Sequence, residues 1–444
     1  MESLVERARS AGVALVRIAY CDNANLIRAK AVPLDGLEAV LRDGIGFSVA
    51  QQALPIMGDV VLPASGITPA GETWLVPDPE TFTPLPYSAG AATMLGDFVT
   101  AANAPWEHCP RGCLRRAVAA AAAAGLEIQA AFEPEFYLMR EAGGEWVPID
   151  RTNFAMTAAH DLAHTFIREL VDTLAAMRLR VELVYPESGP GQFEVSIDHA
   201  AALGAADRHV LLRDAVRGVA YRRDAAASFA PKPLPNSAGS GCHLHLSVWR
   251  DGRNILYDPH DPLYLSREGS AWVAGLVHHL PGLCALIAPS VNSYARLRPH
   301  AWAGAFTCYG LDNREAAVRI VTPRRGPGSF NVELKTADGS ANPYLALAGA
   351  IAAGLDGLRR ELSPGTPIDG DPALLPEGDR VARGIVPLPA GLGQAIAAFE
   401  ADPVLLDALG APLARSYVAV RRGEWEALRS IPFETQVQQH LFKY

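Results

Sequence analysis

Four short stretches of this chain set acidic and imidazole side chains on alternate residues, the spacing that a β-strand turns to a single face. They are Glu133-Pro134-Glu135, Glu187 with Glu194 around Gly189-Pro190-Gly191-Gln192, His243-Leu244-His245, and Glu333. As strands, Glu133 and Glu135 face one way while Phe132, Pro134 and Phe136 face the other. His243 and His245 alternate with Leu244 and Leu246; Glu194 stands between Phe193 and Val195, and Glu333 between Val332 and Leu334. Carboxylates with such apolar neighbours are tolerated in an interior only when paired, hydrogen-bonded or metal-bound. Five glutamates and a histidine converging on one cavity make an oxygen-rich site for hard divalent cations such as Mg²⁺ or Mn²⁺. Carboxylate-held Mg²⁺ commonly carries substrate phosphates, which points to ATP.

The 444 residues are enough for two domains. A formal net charge of −9 and the lack of a basic run argue against a nucleic-acid partner. The six cysteines are scattered, and Cys109 with Cys113 lacks the second Cys/His pair that a structural zinc would need. Reduced thiols in a cytoplasmic protein are the expectation. Residues 1–7 carry no apolar run of the kind a secretory signal needs. Residues 271–295 contain no Asp, Glu, Lys or Arg, but His278, His279, Pro281 and Pro289 interrupt them. A core helix ending near Pro281 or Pro289 is expected there rather than a membrane span.

The strands need a scaffold. Residues 14–32 read as strand, turn and strand, with Asp22-Asn23-Ala24-Asn25 as the turn. Residues 54–87 are rich in Pro and Gly, which suggests a small β-rich domain with long loops. The Ala-rich stretch 111–124 after Pro110 predicts a helix, and the domain boundary is placed near residue 105, giving domains 1–105 and 106–444. In the larger part, Leu162, Phe166, Leu170 and Leu174 have helical spacing. Asn342-Pro343 reads as an N-cap followed by proline at the first helical position. Residues 391–428 return to helix, with breaks expected at Pro403 and Pro412. Antiparallel-looking strands with segregated helices indicate an α+β fold.

In order along the chain, Phe132-Glu133-Pro134-Glu135-Phe136, the Glu187–Glu194 loop, Gly239-Ser240-Gly241-Cys242-His243-Leu244-His245-Leu246-Ser247, Asn292-Ser293-Tyr294-Ala295-Arg296, Asn313-Arg314-Glu315-Ala316-Ala317-Val318-Arg319 and Glu333 followed by Ala341-Asn342-Pro343-Tyr344 resemble the glutamine synthetase family. That resemblance implies a β-grasp-like N-terminal domain and a catalytic domain with a curved antiparallel sheet and surrounding helices. It also implies a homododecamer of two hexameric rings, with sites shared between subunits. In that likeness Glu135, Glu187 and Glu194 match the ligands of a tighter metal site, and Glu133, His243 and Glu333 those of a second. Arg296 matches the clamp on the α-carboxylate of L-glutamate, a task suited to guanidinium. Arg314 and Arg319 match residues that stabilise the transferring phosphoryl group, and His245 and Ser247 match nucleotide contacts. Gly239 matches a glycine where backbone approaches substrate, and Asp22 the acid that faces the amine from the adjacent subunit. Outside the ordered set, Arg314 and Arg319 would read as surface charges, His243 as a core histidine and Asp22 as a turn residue.

The chain also departs from the likeness. Ammonia-using members carry Pro-Gly-x-Glu after the Asn-Ser-Tyr motif, whereas here Pro299-His300-Ala301-Trp302 puts an indole in the place of the acid. Indole removes charge and adds apolar surface, which suits an organic amine better than ammonium. The alternative is a shifted loop, with another acid such as Glu315 taking the role. Asn331 and Lys335 stand where arginine is usual, and Lys335 keeps its charge for the glutamate γ-carboxylate without the planar fork. The expected reaction is ATP-dependent ligation of an amine to the γ-carboxylate of L-glutamate through γ-glutamyl phosphate. Ethanolamine, alkylamines, aromatic amines and polyamines are candidates, polyamines less favoured because the sequence shows no extra acidic cluster for a distal ammonium. The alternatives are glutamine synthetase itself, using ammonia, and an inactive structural or regulatory assembly.

Overall fold

A computed structural model describes residues 4–444. Residues 1–3, part of the segment read for a secretory signal, lie outside it. The N-terminal part forms a six-stranded sheet in the order Ile27–Pro33, Leu15–Cys21, Ala91–Val99, Glu72–Pro77, Ile45–Ser48, with Thr83–Pro84 added against Ala91–Val99. The expected hairpin is present, and Asn25 closes its turn with φ +61°. One pair differs from an all-antiparallel reading: Leu15–Cys21 runs parallel to Ala91–Val99. The intervening strands and turns supply the long crossover that parallel pairing needs. Behind this sheet, Tyr20, Phe47 and Phe98 pack edge to face in a core with Val16, Ile18 and Met94.

The larger part is built on an eleven-stranded, mostly antiparallel sheet. Its main path runs Tyr309–Leu311, Val318–Val321, Asn331–Leu334, Cys242–Arg250, Glu127–Ala142, Gln192–Ile197, Val181–Pro186. Helices cover its apolar face, where Phe132, Phe136, Phe193, Leu244, Leu246 and Val332 are buried. Helix Pro110–Ala123 starts where the sequence predicts, with the Cys109 sulfur accepting from Gly112 N. Asn342 caps helix Pro343–Arg360 through bonds from Tyr344 N and Leu345 N.

Helix Arg267–Ile287 runs through Pro281 and ends two residues before Pro289, the second of the two expected ends. It is tightly packed against Pro343–Arg360, since a Cβ on Gly275 would lie 2.9 Å from Gly357 Cα. Among the described residues it is the one helix long and apolar enough to cross a membrane, and 78% of its most apolar window is buried inside the protein. The helix predicted around 162–177 is two pieces, Thr157–Leu162 and His164–Ala176. Further on, a break precedes Pro403 as predicted, but the next falls at Gly410 (φ +78°). Pro412 instead sits in the first turn of Ala411–Leu428, where a missing N–H costs no helical bond.

Asp22 lies apart from the acidic cluster. It is fully buried; its Oδ1 accepts from Ala24 N and Leu26 N, and its Oδ2 pairs with Arg28 Nε at 2.6 Å. The Asn342 side-chain amide donates to the Asp22 carbonyl at 2.9 Å, tying this turn to the catalytic part of the same chain. Within one chain this carboxylate is held by residues 24, 26 and 28, and Oδ2 keeps capacity for a further donor.

Candidate active site

The strand register assembles the chemistry in rows. Glu194 pairs with Glu135, His243 with Glu133, and His245 with Glu333, which in turn pairs with Arg319. Directly opposed residues share a face of the sheet, so all of these side chains point to the side away from the helices. Glu187 enters at the hairpin before Gln192–Ile197, where its N–H donates to the Gln192 carbonyl. Gly191, at φ +67°, makes that hairpin possible; a Cβ there would meet the Leu138 carbonyl at 2.9 Å.

Two separate groups of ligand atoms result, Glu135–Glu187–Glu194 and Glu133–His245–Glu333, and a third, Glu133–Glu194–His243, bridges them; within each, the ligand atoms lie within 4.8 Å of one another. His243 stands between them, its Nδ1 3.2 Å from Glu333 and 3.9 Å from Glu133, its Nε2 3.8 Å from Glu135. His245 thus reaches the same carboxylates as His243, with Nε2 3.1 Å from Glu133, while its Nδ1 lies 2.8 Å from the Asn331 side-chain oxygen.

The electrostatics of the two groups are opposite. Burial, then repulsion from Glu133 and Glu135, pushes the Glu194 carboxyl up to about 10. Burial and Glu187 push Glu135 up to about 7, and burial raises Glu187 as well. Against the same burial, Lys335, His243 and His245 hold Glu333 down at about 2, and the two histidines keep Glu133 well below its ordinary range. The Glu135–Glu187–Glu194 side is therefore short of positive charge, and a divalent cation fits that deficit and that all-oxygen donor set.

The remaining expected residues surround these groups. Arg296 is buried, with Nη1 donating to Thr336 O and Nη2 to Lys335 O; Nη2 also lies 3.4 Å from His243 Nε2, and Nη1 keeps a second N–H. Lys335 Nζ lies 3.4 Å from Glu333, and Arg319 donates to Glu333 at 3.0 Å and to Asp312 at 3.4 Å. Arg314 is exposed. Ser247 and His245 line a cavity of about 570 Å³ shared with Asn331, Arg324, Arg325 and Glu133, so this space opens directly onto the second ligand group. Gly239 packs against the Arg296 stem, whereas Gly241 is the glycine that bares backbone to the cluster. A Cβ on Gly241 would lie 2.7–2.9 Å from His243 Nε2, Arg296 Nη2 and Glu135 Oε1. Residues 297–304 form a loop. They leave from Arg296 and return at Gly304, whose carbonyl accepts from Thr336 and whose α-carbon abuts Ala317. Trp302, on this loop, is 58% exposed.

The known proteins agree with this geometry. A family model described as "Glutamine synthetase, catalytic domain" matches residues 107–440, and one for the glutamine synthetase N-terminal domain matches residues 1–106. The chain belongs to the glutamine synthetase family. Among its relatives, the gamma-glutamylpolyamine synthetase GlnA3 of Streptomyces coelicolor is 40% identical over 98% of this chain and 94% of its own length. The glutamine synthetase of Halobacterium salinarum is 32% identical over 100% and 96%. A GmaS–ADP complex superposes with a TM-score of 0.86 at 31% identity, covering 99% of each chain. A further crystal structure, of a glutamine synthase homologue, gives 0.87 at 34% identity over 97% of this chain and 99% of its own.

Three site residues escape a reading of the family motifs. Gln192 donates to Glu135 Oε2 at 2.9 Å and to Gly239 O at 3.0 Å, fixing one ligand against the glycine loop. Tyr185 stands opposite Glu194 in the strand register, and its position two residues before Glu187 on an edge strand is the signal that could have found it. Gly241, two residues before His243, carries the same strand-face signal. Glu315 and Asp371 also come together beside Trp302, because Asn313 donates to the carbonyls of Ile368 and Gly370 at 2.8 Å. The sequence offers Glu315 as a candidate acid there, and folding brings Asp371 beside it.

Proposed function

We propose that this chain is an ATP-dependent ligase joining an organic amine to the γ-carboxylate of L-glutamate through γ-glutamyl phosphate. The observation that carries the acceptor class is Trp302, an exposed indole on the loop that follows Arg296, at the position where the family likeness calls for an acid. An alkyl chain can cover that apolar surface; ammonium cannot. The similarity to a gamma-glutamylpolyamine synthetase supports an organic acceptor, and polyamines regain standing because Glu315 and Asp371 flank the same loop.

In this reading Glu135, Glu187 and Glu194 would hold one Mg²⁺ or Mn²⁺, and Glu133, His243 and Glu333 a second; bound there, the metals offset phosphate charge as the γ-phosphoryl moves. His245 and Ser247 line the cavity offered to the nucleotide. Arg296, its fork fixed by two backbone carbonyls, is placed to orient the glutamate α-carboxylate, and Gly239 keeps its stem in place. Lys335 attracts the γ-carboxylate without the bidentate geometry of arginine. Arg319, whose buried Nε has no partner in the fold, and the exposed Arg314 would take the charge that develops on the transferring phosphoryl group. The division into domains 1–105 and 106–444 belongs to the same proposal, as does a cytoplasmic homododecamer of two hexameric rings. Both rest on the family likeness. Neither nucleic acid nor membrane is a partner in this reading, given the net charge of −9 and the burial of the one long apolar helix.

The test is an acceptor panel with the wild-type enzyme at saturating ATP, glutamate and Mg²⁺, following ADP release and the amide product. Ammonia, ethanolamine, alkylamines, an aromatic amine, diamines and polyamines are compared by kcat/KM. The reading expects an organic amine to exceed ammonia clearly. A clear win for ammonia makes this a glutamine synthetase with a rearranged loop, and no ADP release with any acceptor makes it an inactive assembly.

A further inference from the structure

An amine arrives as a cation and must surrender a proton before it can attack an acyl phosphate, and a negative group beside Trp302 would serve both needs. We infer that Glu315 is that group: its carboxylate binds the ammonium of the acceptor and at the same time sets the position of the Trp302 loop. The inference rests on the ligase reading above.

Three observations place it. Glu315 Oε1 accepts the backbone N–H of Trp302 at 3.0 Å, leaving Oε2 without a hydrogen-bond partner among the described residues. The turn that presents it is rigid: Asn313 Oδ1 accepts from Glu315 N, and the Asn313 amide is fixed to Ile368 O and Gly370 O. Glu315 also directly follows Arg314 and precedes Ala316 and Ala317, and Ala317 O accepts from Lys335 N inside the site. The carboxylate is therefore held between the phosphoryl-side arginine and the loop that carries the indole.

The loop itself explains why a latch is needed. His300 and Trp302 both adopt left-handed backbone, at φ +60° and +55°, conformations that non-glycine residues visit at a cost. Two acids hold them there, Glu315 through the Trp302 N–H and Asp371 through His300 Nδ1 at 2.5 Å. Because Asp371 is engaged by His300, the free oxygen of Glu315 is the open acceptor beside Trp302. An alkylammonium bound to it would lay its chain along the indole, so charge and apolar surface would act on one ligand. A proton passing from the ammonium to this carboxylate leaves a neutral amine and a neutral acid, and burial, which already raises the Glu315 carboxyl, favours that acid form.

The experiment measures KM for the best organic amine, for ammonium and for hydroxylamine, which is largely uncharged at neutral pH, in wild type, Glu315→Gln and Glu315→Ala. Glutamine keeps an oxygen for the Trp302 N–H and loses only the charge. In Glu315→Gln the KM for charged amines should rise about tenfold, the loss of one ion contact. Those for glutamate and ATP should stay within about twofold, so the ratio of amine KM to hydroxylamine KM increases. Should both variants fail to fold, salt titration of the wild type reads the same charge: added KCl should raise KM for the amine and not for hydroxylamine. A Glu315→Gln enzyme with wild-type amine KM overturns the inference, and so does impairment of Glu315→Ala alone, which would make the residue a mechanical latch. If the wild type uses only ammonia, the ligase reading falls, yet the comparison of ammonium with hydroxylamine still decides the role of Glu315.

Discussion

Replacing Glu194 by glutamine should make the metal-free protein more stable, although it removes an expected metal ligand. Glu194 is nearly fully buried, and burial with its carboxylate neighbours Glu133 and Glu135 pushes its carboxyl up to about 10. An acid whose folded value lies above its unfolded value loses stability as pH rises from the unfolded toward the folded value. At neutral pH the gap from the ordinary carboxylate value is roughly 2.5 pH units, and at about 1.4 kcal/mol per unit the charge-starved cluster costs about 3 kcal/mol. Glutamine is isosteric and has no charge to lose. In EDTA at mildly alkaline pH, Glu194→Gln should melt several degrees above wild type, and the difference should close as the pH falls toward about 5. Saturating Mn²⁺ should reverse the order, because wild type gains binding energy that the variant lacks. Calorimetric melts with and without Mn²⁺ check both arms. A metal-free Glu194→Gln protein that melts below wild type at alkaline pH, or the same Mn²⁺ gain in both proteins, would refute the argument.

Other perturbations read other parts of the structure. Gly241→Ala places a methyl within 3 Å of His243, Arg296 and Glu135, and should cut kcat/KM at least about 100-fold in steady-state assays while the protein stays folded. Asp22→Asn keeps the turn acceptors and loses the pair with Arg28; it should cost about 2 kcal/mol of stability, seen in melts, with near-normal specific activity of the folded enzyme. A stable but inactive Asp22→Asn protein would place that residue in catalysis. Trp302→Glu should shift kcat/KM from alkylamines toward ammonia, since each buried CH₂ is worth about 0.8 kcal/mol to the indole enzyme. His279, buried between Asp356 and Asp402, is raised above its ordinary value by those two carboxylates against its burial. Its stabilisation is therefore present below the ordinary histidine value and fades as pH rises through the raised one. Melts should show the deficit of His279→Gln shrinking with rising pH.

What could be read from the chain follows from period and local geometry. Alternation by two dictates a shared face, and the register rows Glu135–Glu194, Glu133–His243 and Glu333–His245 turn those faces into one cluster. Asn342 as an N-cap was equally local. The tie of the Asp22 turn to Asn342 was not legible, because a turn aspartate has the same composition whether it faces solvent or a helix start far along the chain. The pairing of Glu315 with Asp371 was hidden for a related reason, since it depends on Asn313 fastening two distant segments. The parallel strand pair escaped because alternation reports faces and says nothing of direction.

The clasp at residues 22–25 bears on the order in which the chain is made. Its bonds reach far ahead: Asp22 O to Asn342 over 320 positions, Asn23 to Ser416 over 393, and Ile56 to Glu424 over 368. During synthesis the N-terminal sheet emerges first and can form its hairpin and aromatic core, but the polar atoms on its docking edge wait for the last quarter of the chain. For that interval Asn23 and the Asp22 carbonyl must be hydrated or held by a chaperone, and the nascent sheet cannot close on the partner it needs. Non-local closure of this kind slows folding. A ribosome stalled before residue 416 would therefore present a half-finished surface, and mutations on the late helix Ala411–Leu428 would act on the yield of folded protein through the first domain made.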